Sequence, residues 1–383
     1  MHHHTHGHSR RDLFRKLFGG ALAGASIVEE AFLRASWARA QAPSASADLF
    51  TIEKVADGVY AAIARPQILT NCNAAIFVNS GDVLVVDAHS KPSAAAALIA
   101  QIKRDITPKP VRYLVNSHFH WDHTQGDAAY KASGTKVDII ASNATKQLMT
   151  QLSRNRLQES LDGVPKQIDE VQARMAKAAS AAEKERYADL LRQLKAYQTE
   201  MKSYPLELPT IAFDKSYMIK DAAGDLHIDF HGRAHTAGDI AVFSPAKRVV
   251  ASGDVVIGFL PNINDGYPRP WPATIDSIGK LAFDHIIPGH GPVHDGRARM
   301  TQMRNYIEEL TARVEEGKKA GKSLAELQKT LIMASIKTLQ AGGYSSYVAD
   351  NLNKYTVYIG QRTAVEDRLL ANIEAAYKNL DRA

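Results

Sequence analysis

A short segment near residue 120 constrains the fold of this chain more than any other, because it gathers four metal-binding side chains. His118, His120, Asp122 and His123 lie within six residues, directly after an apolar segment with the pattern of a β-strand. In an extended segment residues two apart project to the same side, so His118 and His120 can bind one metal ion. Asp122 and His123 begin the next turn and can face a second ion. Imidazole and carboxylate groups together suit zinc, although iron and manganese are not excluded.

Strand patterns and helix patterns alternate around this segment. Short apolar runs bounded by turn residues predict a meander of strands at residues 50–55, 59–64, 73–78 and 83–87. An amphipathic helical pattern then precedes the strand at residues 111–116, and strands resume between residues 211 and 252. Strand, helix and strand in succession predict a layered α/β architecture.

Two regions have helical patterns only. Residues 143–203 carry apolar side chains at three- and four-residue spacing in two runs, which predicts an inserted helical hairpin that packs on itself. The chain after residue 297 is also helical in pattern, and Ser323 and Glu326 form a capping-box sequence within it. The helices after residue 297 are therefore expected to form a C-terminal extension.

The His-x-His-x-Asp-His pattern resembles the signature of the metallo-β-lactamase superfamily. Three more segments are similar to motifs of that family and follow in the family's order: residues 232–239 with His235, residues 252–254 with Asp254, and residues 287–292 with His290. The resemblance covers about residues 49 to 295. It implies an α/β fold, namely an αββα four-layer sandwich, to which the helical hairpin and the C-terminal helices are additions. The domain limits expected from it are 43–297 for the catalytic domain and 298–383 for the helical extension.

Carried over residue by residue, the resemblance implies seven ligands for two zinc ions. The first ion would be bound by His118, His120 and His235, the second by Asp122, His123 and His290, and Asp254 would bridge both. A bound divalent cation can lower the pKa of its water to about 7, so a hydroxide between the two ions is the expected nucleophile. Asp122 would in addition orient that nucleophile. Asp87 ends an apolar strand and matches a supporting aspartate of the family, with a plain strand-end turn as the alternative.

The activity implied is hydrolysis of an ester, thioester, lactone, amide or phosphodiester bond in a small substrate. Aspartate at position 254 resembles the thioesterase, lactonase and phosphodiesterase branches, whereas the β-lactamase branches typically have cysteine or serine there. A β-lactam-hydrolysing enzyme nevertheless stays an alternative. A persulfide dioxygenase with one iron ion is a second alternative, since its ligand set is similar. A binding module without activity would typically lack a ligand, and none is missing from the motifs. Residues 259–271 are expected to help select the substrate.

Charge and cysteine content narrow the classes of partner. The 47 lysines and arginines exceed the 41 acidic residues, but without the six basic and three acidic residues of the first 42 the excess is only +3. So small an excess argues against nucleic-acid binding and leaves a small molecule as the expected partner. The single cysteine, Cys72, cannot form an intramolecular disulfide and is expected to be a small buried side chain. Whether the helical hairpin forms a homodimer contact is left open by the sequence.

The N-terminal 42 residues resemble a twin-arginine export signal. Arg10 and Arg11 precede a mildly apolar run that is too short to span a bilayer, and an Ala-x-Ala pattern follows at residues 38–42. Glu29 and Glu30 interrupt this pattern, and an N-terminal amphipathic helix that stays attached is the alternative. The pattern predicts a protein that is periplasmic or secreted, cleaved near Pro43, and without a stable membrane insertion after the signal is removed.

Overall fold

The chain folds into two β-sheets that pack face to face, and the computed structural model describes residues 49–65, 72–355 and 364–382. The twin-arginine-like segment and the expected cleavage position near Pro43 lie outside the described residues. In the part of the chain that is described, no helix is long and apolar enough to cross a membrane.

The first sheet contains seven strands in the order β1 to β7. They are β1 (Phe50–Ala56), β2 (Val59–Ala64), β3 (Ala74–Val78), β4 (Val83–Val86), β5 (Val111–Val115), β6 (Asp138–Ser142) and β7 (Ile211–Phe213). Neighbouring strands from β1 to β4 are antiparallel, and those from β4 to β7 are parallel. The turn at Gly58, which has a positive φ of 73°, makes the first hairpin tight, as the Asp57-Gly58 pair predicted.

The second sheet contains six strands in the order β13-β12-β11-β10-β9-β8. They are β8 (Ser216–Ile219), β9 (Leu226–Asp229), β10 (Ala241–Ser244), β11 (Val249–Gly253), β12 (His285–Pro288) and β13 (His294–Asp295). Only the pair β11 and β12 is parallel among the pairings of this sheet. Each sheet therefore contains at least one parallel pair whose strands end on the same side.

The predicted four-layer α/β sandwich is confirmed. The core between the two sheets includes Val59, Phe77 and Ile140 from the first sheet and Ile228, Val242 and Ile287 from the second. The outer face of the first sheet is covered by α1 (Pro92–Asp105) and α3 (Asp127–Lys131), and α2 (Trp121–Thr124) lies just before α3. The outer face of the second sheet is covered by α6 (Trp271–Gly279), α7 (Ala298–Lys319) and the helices that follow. Each large apolar side chain buried in these layers contributes about 1.5–3 kcal/mol to folding.

The predicted helical hairpin is formed by α4 (Asn143–Ala176) and α5 (Ala181–Met201). Ser142 and Ser180 cap the two helices by accepting hydrogen bonds from backbone N–H groups in each first turn. Its apolar stripe forms a separate core, as expected, with Val171, Leu194 and Tyr197 buried. Trp121 packs against that core as well, so the hairpin contacts the segment that carries the candidate ligands.

The C-terminal extension is helical, as predicted. It continues from α7 through α8 (Leu324–Thr330), α9 (Lys337–Gln340), α10 (Tyr344–Tyr355) and α11 (Ala364–Asn379), with short 3₁₀ turns at Met333–Ser335 and Ala341–Gly343. The capping box of Ser323 and Glu326 is present at the start of α8. These helices share one apolar core with the outer face of the second sheet, so they are packed onto the sandwich.

Candidate metal centre

The candidate ligands lie on loops and on the short helix α2 at one end of the two sheets. His118 follows β5, Asp254 follows β11 and His290 follows β12, while His235 lies on the loop between β9 and β10. Ligands in α/β proteins commonly bind where the carboxyl ends of parallel strands meet, because loops from several strands converge there. Four separate loops therefore bring their side chains to one place.

The first cluster consists of three histidines. The Nδ1 atom of His120 lies 3.0 Å from Nε2 of His118 and 2.9 Å from Nε2 of His235. His118 and His235 are buried, and His120 is partly buried. Three imidazole nitrogens are thus directed at a single point.

The hydrogen-bond partners of the outer ring nitrogens indicate where these histidines carry their protons. His120 donates from Nε2 to Oδ2 of Asp265 at 2.8 Å, and His235 donates from Nδ1 to the carbonyl oxygen of Asn262 at 2.9 Å. Both partners can only accept, so in a neutral ring the nitrogen that faces inward, Nδ1 of His120 or Nε2 of His235, is the one that carries the lone pair. The same holds for His118, whose Nδ1 lies 3.0 Å from a Ser117 hydroxyl. That hydroxyl already donates its proton elsewhere and must accept here.

The second cluster contains a carboxylate and two imidazoles. Nε2 of His290 lies 3.2 Å from Oδ2 of Asp122 and 3.4 Å from Nε2 of His123. Nε2 of His123 is in turn 3.5 Å from Oδ2 of Asp122. All three residues are buried.

Asp254 lies between the two clusters. One oxygen, Oδ2, is 3.4 Å from Nε2 of both His235 and His290, and the other, Oδ1, is 3.5 Å from Nε2 of His123. Oδ1 is buried and accepts no hydrogen bond from any described residue. Gly289 makes this position possible, since a Cβ atom there would lie 2.0 Å from Oδ1. Asp254 is therefore placed to contact ions in both clusters.

The protonation states favour cation binding. Burial lowers the pKa of His118 well below its usual value and that of His235 to about 4, so both rings are neutral at pH 7 and can act as ligands. Burial alone would raise the pKa of Asp122 and Asp254, but the surrounding histidines outweigh it and hold both values well below the usual range. Both carboxylates are therefore ionised.

Asp87 supports both clusters. Its Oδ2 accepts hydrogen bonds from Nδ1 of His123 at 2.8 Å and from the Ser117 hydroxyl at 2.9 Å, and its Oδ1 accepts from the Ser117 backbone N–H at 2.8 Å. The contact with His123 directs the Nε2 atom of that ring inward, and the Ser117 hydroxyl does the same for His118. The supporting role expected for Asp87 is seen in these contacts, and a plain strand-end turn does not describe them.

Several functional contacts could not be found from the sequence motifs. Asp265 and Asn262 hold two of the histidines, yet both lie in residues 259–271, which carry no motif and for which only a substrate role was expected. Cys72 is buried as expected, with its sulfur 3.2 Å from Nδ1 of His89. Burial raises the pKa of the Cys72 thiol, which makes it unreactive.

The donor set fits divalent metal ions. The residues fall into three overlapping groups whose ligand atoms lie within 4.8 Å of one another: His118, His120 and His235; His118, His123 and Asp254; and Asp122, His123 and His290. Burial alone would lower the pKa of His123, but the carboxylates of Asp87, Asp122 and Asp254 outweigh it and raise that pKa well above its usual value. These carboxylates therefore attract positive charge, which a bound metal ion would supply in place of the His123 proton. Histidine nitrogen and carboxylate oxygen are ligands that zinc, iron and manganese accept. The sequence placed seven side chains in this centre, and the structure brings all seven together.

A family model described as the metallo-beta-lactamase superfamily matches residues 68–290. Among solved structures, a metallo-beta-lactamase from Pontibacter korlensis is 16% identical, with a TM-score of 0.48, 68% of this chain covered and 99% of that one. A metallo-beta-lactamase from Hirschia baltica is 18% identical, with a TM-score of 0.47, 67% of this chain covered and 97% of that one.

Proposed function

Because the chain belongs to the metallo-beta-lactamase superfamily, we propose that it is a metal-dependent hydrolase with two zinc ions. His118, His120 and His235 would hold the first ion, Asp122, His123 and His290 the second, and Asp254 both. The superfamily match covers the segments that carry all seven residues.

The observation that carries this proposal is the inward direction of the ligand atoms. Protein acceptors occupy the outer nitrogens of His120, His235 and His123, so the inner nitrogens face one another or a carboxylate. Carboxylates and imidazole nitrogens grouped in this way attract cations. Two clusters with Asp254 between them support two ions rather than one.

The chain's own residues supply orientation and electrostatics for hydrolysis. Bound zinc ions would supply an activated water molecule and polarise the carbonyl or phosphoryl group that is attacked. Asp122 is ionised and buried, so its carboxylate can accept a proton or orient a water molecule at this position. The hydrogen bonds of Asp87, Asp265 and Asn262 keep the imidazoles in fixed orientations, which reduces the reorganisation that the reaction requires.

The substrate would be a small molecule with an ester, thioester, lactone, amide or phosphodiester bond. The aspartate at position 254, in place of the cysteine or serine of dedicated β-lactamases, supports this choice over a β-lactam. A panel containing one substrate of each class, together with a β-lactam, tests it.

Replacement of Asp254 by asparagine tests the role of the shared carboxylate. Asp254→Asn removes the negative charge between the clusters and leaves an amide nitrogen that cannot coordinate as a carboxylate oxygen does. Wild type should bind two zinc ions, and the variant about one, with turnover reduced at least about 10- to 100-fold and partly restored by excess zinc. Elemental analysis and turnover on the same samples measure both effects.

Asp284→Asn is the matched control, since Asp284 is an exposed aspartate that pairs with Arg248 just before β12. It should retain wild-type metal content and turnover. If the wild type bound one iron ion and consumed oxygen, the protein would be an oxygenase and not a hydrolase. An Asp254→Asn variant that bound two zinc ions and kept full activity would contradict the proposal that Asp254 is a ligand of both ions.

A further inference from the structure

Residues 262–265, here called the support loop, form the outer wall of the first cluster. The carbonyl oxygen of Asn262 accepts the Nδ1 proton of His235 at 2.9 Å, and the carboxylate of Asp265 accepts the Nε2 proton of His120 at 2.8 Å. Two of the three histidines are thus oriented by one short loop. Its own internal hydrogen bond, from the Asn264 backbone N–H to the Asn262 side chain at 3.0 Å, does not connect it to the sheets.

The helical hairpin holds one end of the support loop. Arg156 on α4 donates two hydrogen bonds to Asp265, from its two terminal nitrogens, at 2.7 and 2.9 Å. Such a bidentate pair fixes the plane of the carboxylate as well as its position. The guanidinium also lies over the ring of Phe119, 4.9 Å from its centre, and Phe119 separates His118 from His120 in the chain. Arg156 therefore connects the hairpin to the first cluster.

The C-terminal helix holds the middle of the same loop. The side-chain nitrogen of Asn379, at the end of α11, donates hydrogen bonds to the carbonyl oxygens of Ile263 at 3.2 Å and Asn264 at 2.8 Å. Asn379 is only 5% exposed, so its amide is shielded from water. The Ile263 oxygen also accepts a hydrogen bond from the Gly266 backbone N–H at 2.8 Å, so Asn379 adds a second donor to a turn of the support loop. Asn379 lies well beyond residues 68–290, the part of the chain that the family model matches.

We propose that the helical hairpin and the C-terminal extension jointly position the histidines of the first cluster through the support loop, with Arg156 and Asn379 as positioning residues. The inference rests on the proposed function, because it assumes that this cluster binds a metal ion. The two additions to the sandwich are then parts of the metal centre. Neither Arg156 nor Asn379 touches the metal or the substrate in this role.

Stepwise zinc affinity is the measurement that tests the proposal. Arg156→Gln should lower the affinity for one of the two zinc ions by about 10-fold, which is the low end of the range for groups that orient a ligand. Arg156→Lys keeps the charge without the planar fork and should restore only part of the loss. Leucine is similar in size to asparagine but cannot donate a hydrogen bond, so Asn379→Leu should lower the affinity for the same zinc ion. Because both residues act through one loop, the fold-loss of zinc affinity in the double variant should be smaller than the product of the two single fold-losses.

Matched controls come from the same helices. Lys166→Gln alters an exposed lysine of α4 that pairs with Glu170, and Lys378→Gln alters the exposed neighbour of Asn379 that pairs with Glu374. Both should bind zinc as wild type does. If Asn379→Leu does not fold, Asn379→Ala removes the same two hydrogen bonds without adding an apolar group.

Cobalt substitution and the melting temperature of the metal-free protein separate positioning from general stability. The variants should shift the visible absorption of cobalt in the first cluster and keep the melting temperature of the metal-free protein. A lower melting temperature with unchanged zinc affinity and cobalt spectrum would overturn the proposal. A wild type that binds no zinc would instead contradict the proposed function, so the two failures are distinguishable.

Discussion

At the scale of single residues, Asp87 connects the two clusters. Its carboxylate accepts three hydrogen bonds, one from His123 and two from Ser117, and Ser117 in turn accepts from His118. The backbone of Asp87 has a positive φ of 69°, which is uncommon for aspartate. A strained backbone that aims a buried carboxylate at two ligand-bearing residues is a typical feature of a functional site.

Asp87→Asn should therefore weaken metal binding in both clusters. The amide offers one acceptor oxygen in place of two, so the inward orientations of the His118 and His123 rings are no longer both enforced. A 10- to 100-fold loss of zinc affinity is expected, at about the size known for such partners. Competition with a chromophoric chelator measures it. Asp82→Asn, which alters a half-buried aspartate that accepts from Asn79, is the control. Wild-type zinc affinity in Asp87→Asn would show that the rings keep their orientation without Asp87.

The ligands themselves could be predicted because their motifs are local. His118, His120, Asp122 and His123 lie in one segment, and their spacing carries the information. Asp265 could not be predicted, because it lies 145 residues from the His120 side chain that it orients. A contact of that kind depends on how the loops pack, which no spacing reveals.

At the scale of secondary-structure elements, periodicity predicted the helical hairpin but not its position on the fold. The apolar stripe explains why α4 and α5 pack together. It does not indicate that Arg156, on the polar surface of α4, reaches Asp265, or that Trp121 joins the hairpin core. The strand β6, which leads directly into α4, was not predicted.

A buried histidine joins β13 to α10, one of the helices of the C-terminal extension. Nε2 of His294 lies 2.9 Å from the hydroxyl of Tyr347, and its Nδ1 has no hydrogen-bond partner among the described residues. Burial, with a contribution from nearby Arg299, lowers the pKa of His294 to about 4. The ring is therefore neutral in the folded protein at pH 7.

The pH dependence of stability should report this contact. A folded-state pKa below the unfolded value of about 6.5 means that stability is present above about pH 6.5 and is lost as the pH falls toward 4. Protonation of His294 would lower the free energy of unfolding by about 3 kcal/mol over that range. His294→Gln should reduce the difference in unfolding free energy between about pH 7.5 and about pH 5, measured in urea on metal-free protein.

His285→Gln, a half-exposed histidine paired with Asp295, is the matched control for that comparison. Other buried histidines titrate in the same range, so only the difference between variant and wild type is informative. An unchanged pH dependence in His294→Gln would mean that His294 is protonated without cost in the folded protein.

At the scale of the whole molecule, the two sheets together build one centre. The first sheet supplies His118, His120, Asp122 and His123, and the second sheet supplies His235, Asp254 and His290. The α/β class and the four layers could be predicted from alternating patterns and from the resemblance, because both are repeated along the chain. How the added helices meet the centre depends on packing between distant segments, and only the structure reveals it.

Anomalous diffraction at the zinc absorption edge, on crystals of the zinc-loaded protein, would locate the bound ions. Two peaks are expected, one among His118, His120 and His235 and the other among Asp122, His123 and His290, with Asp254 beside both. A single peak, or zinc bound away from these side chains, would contradict the proposed two-zinc site.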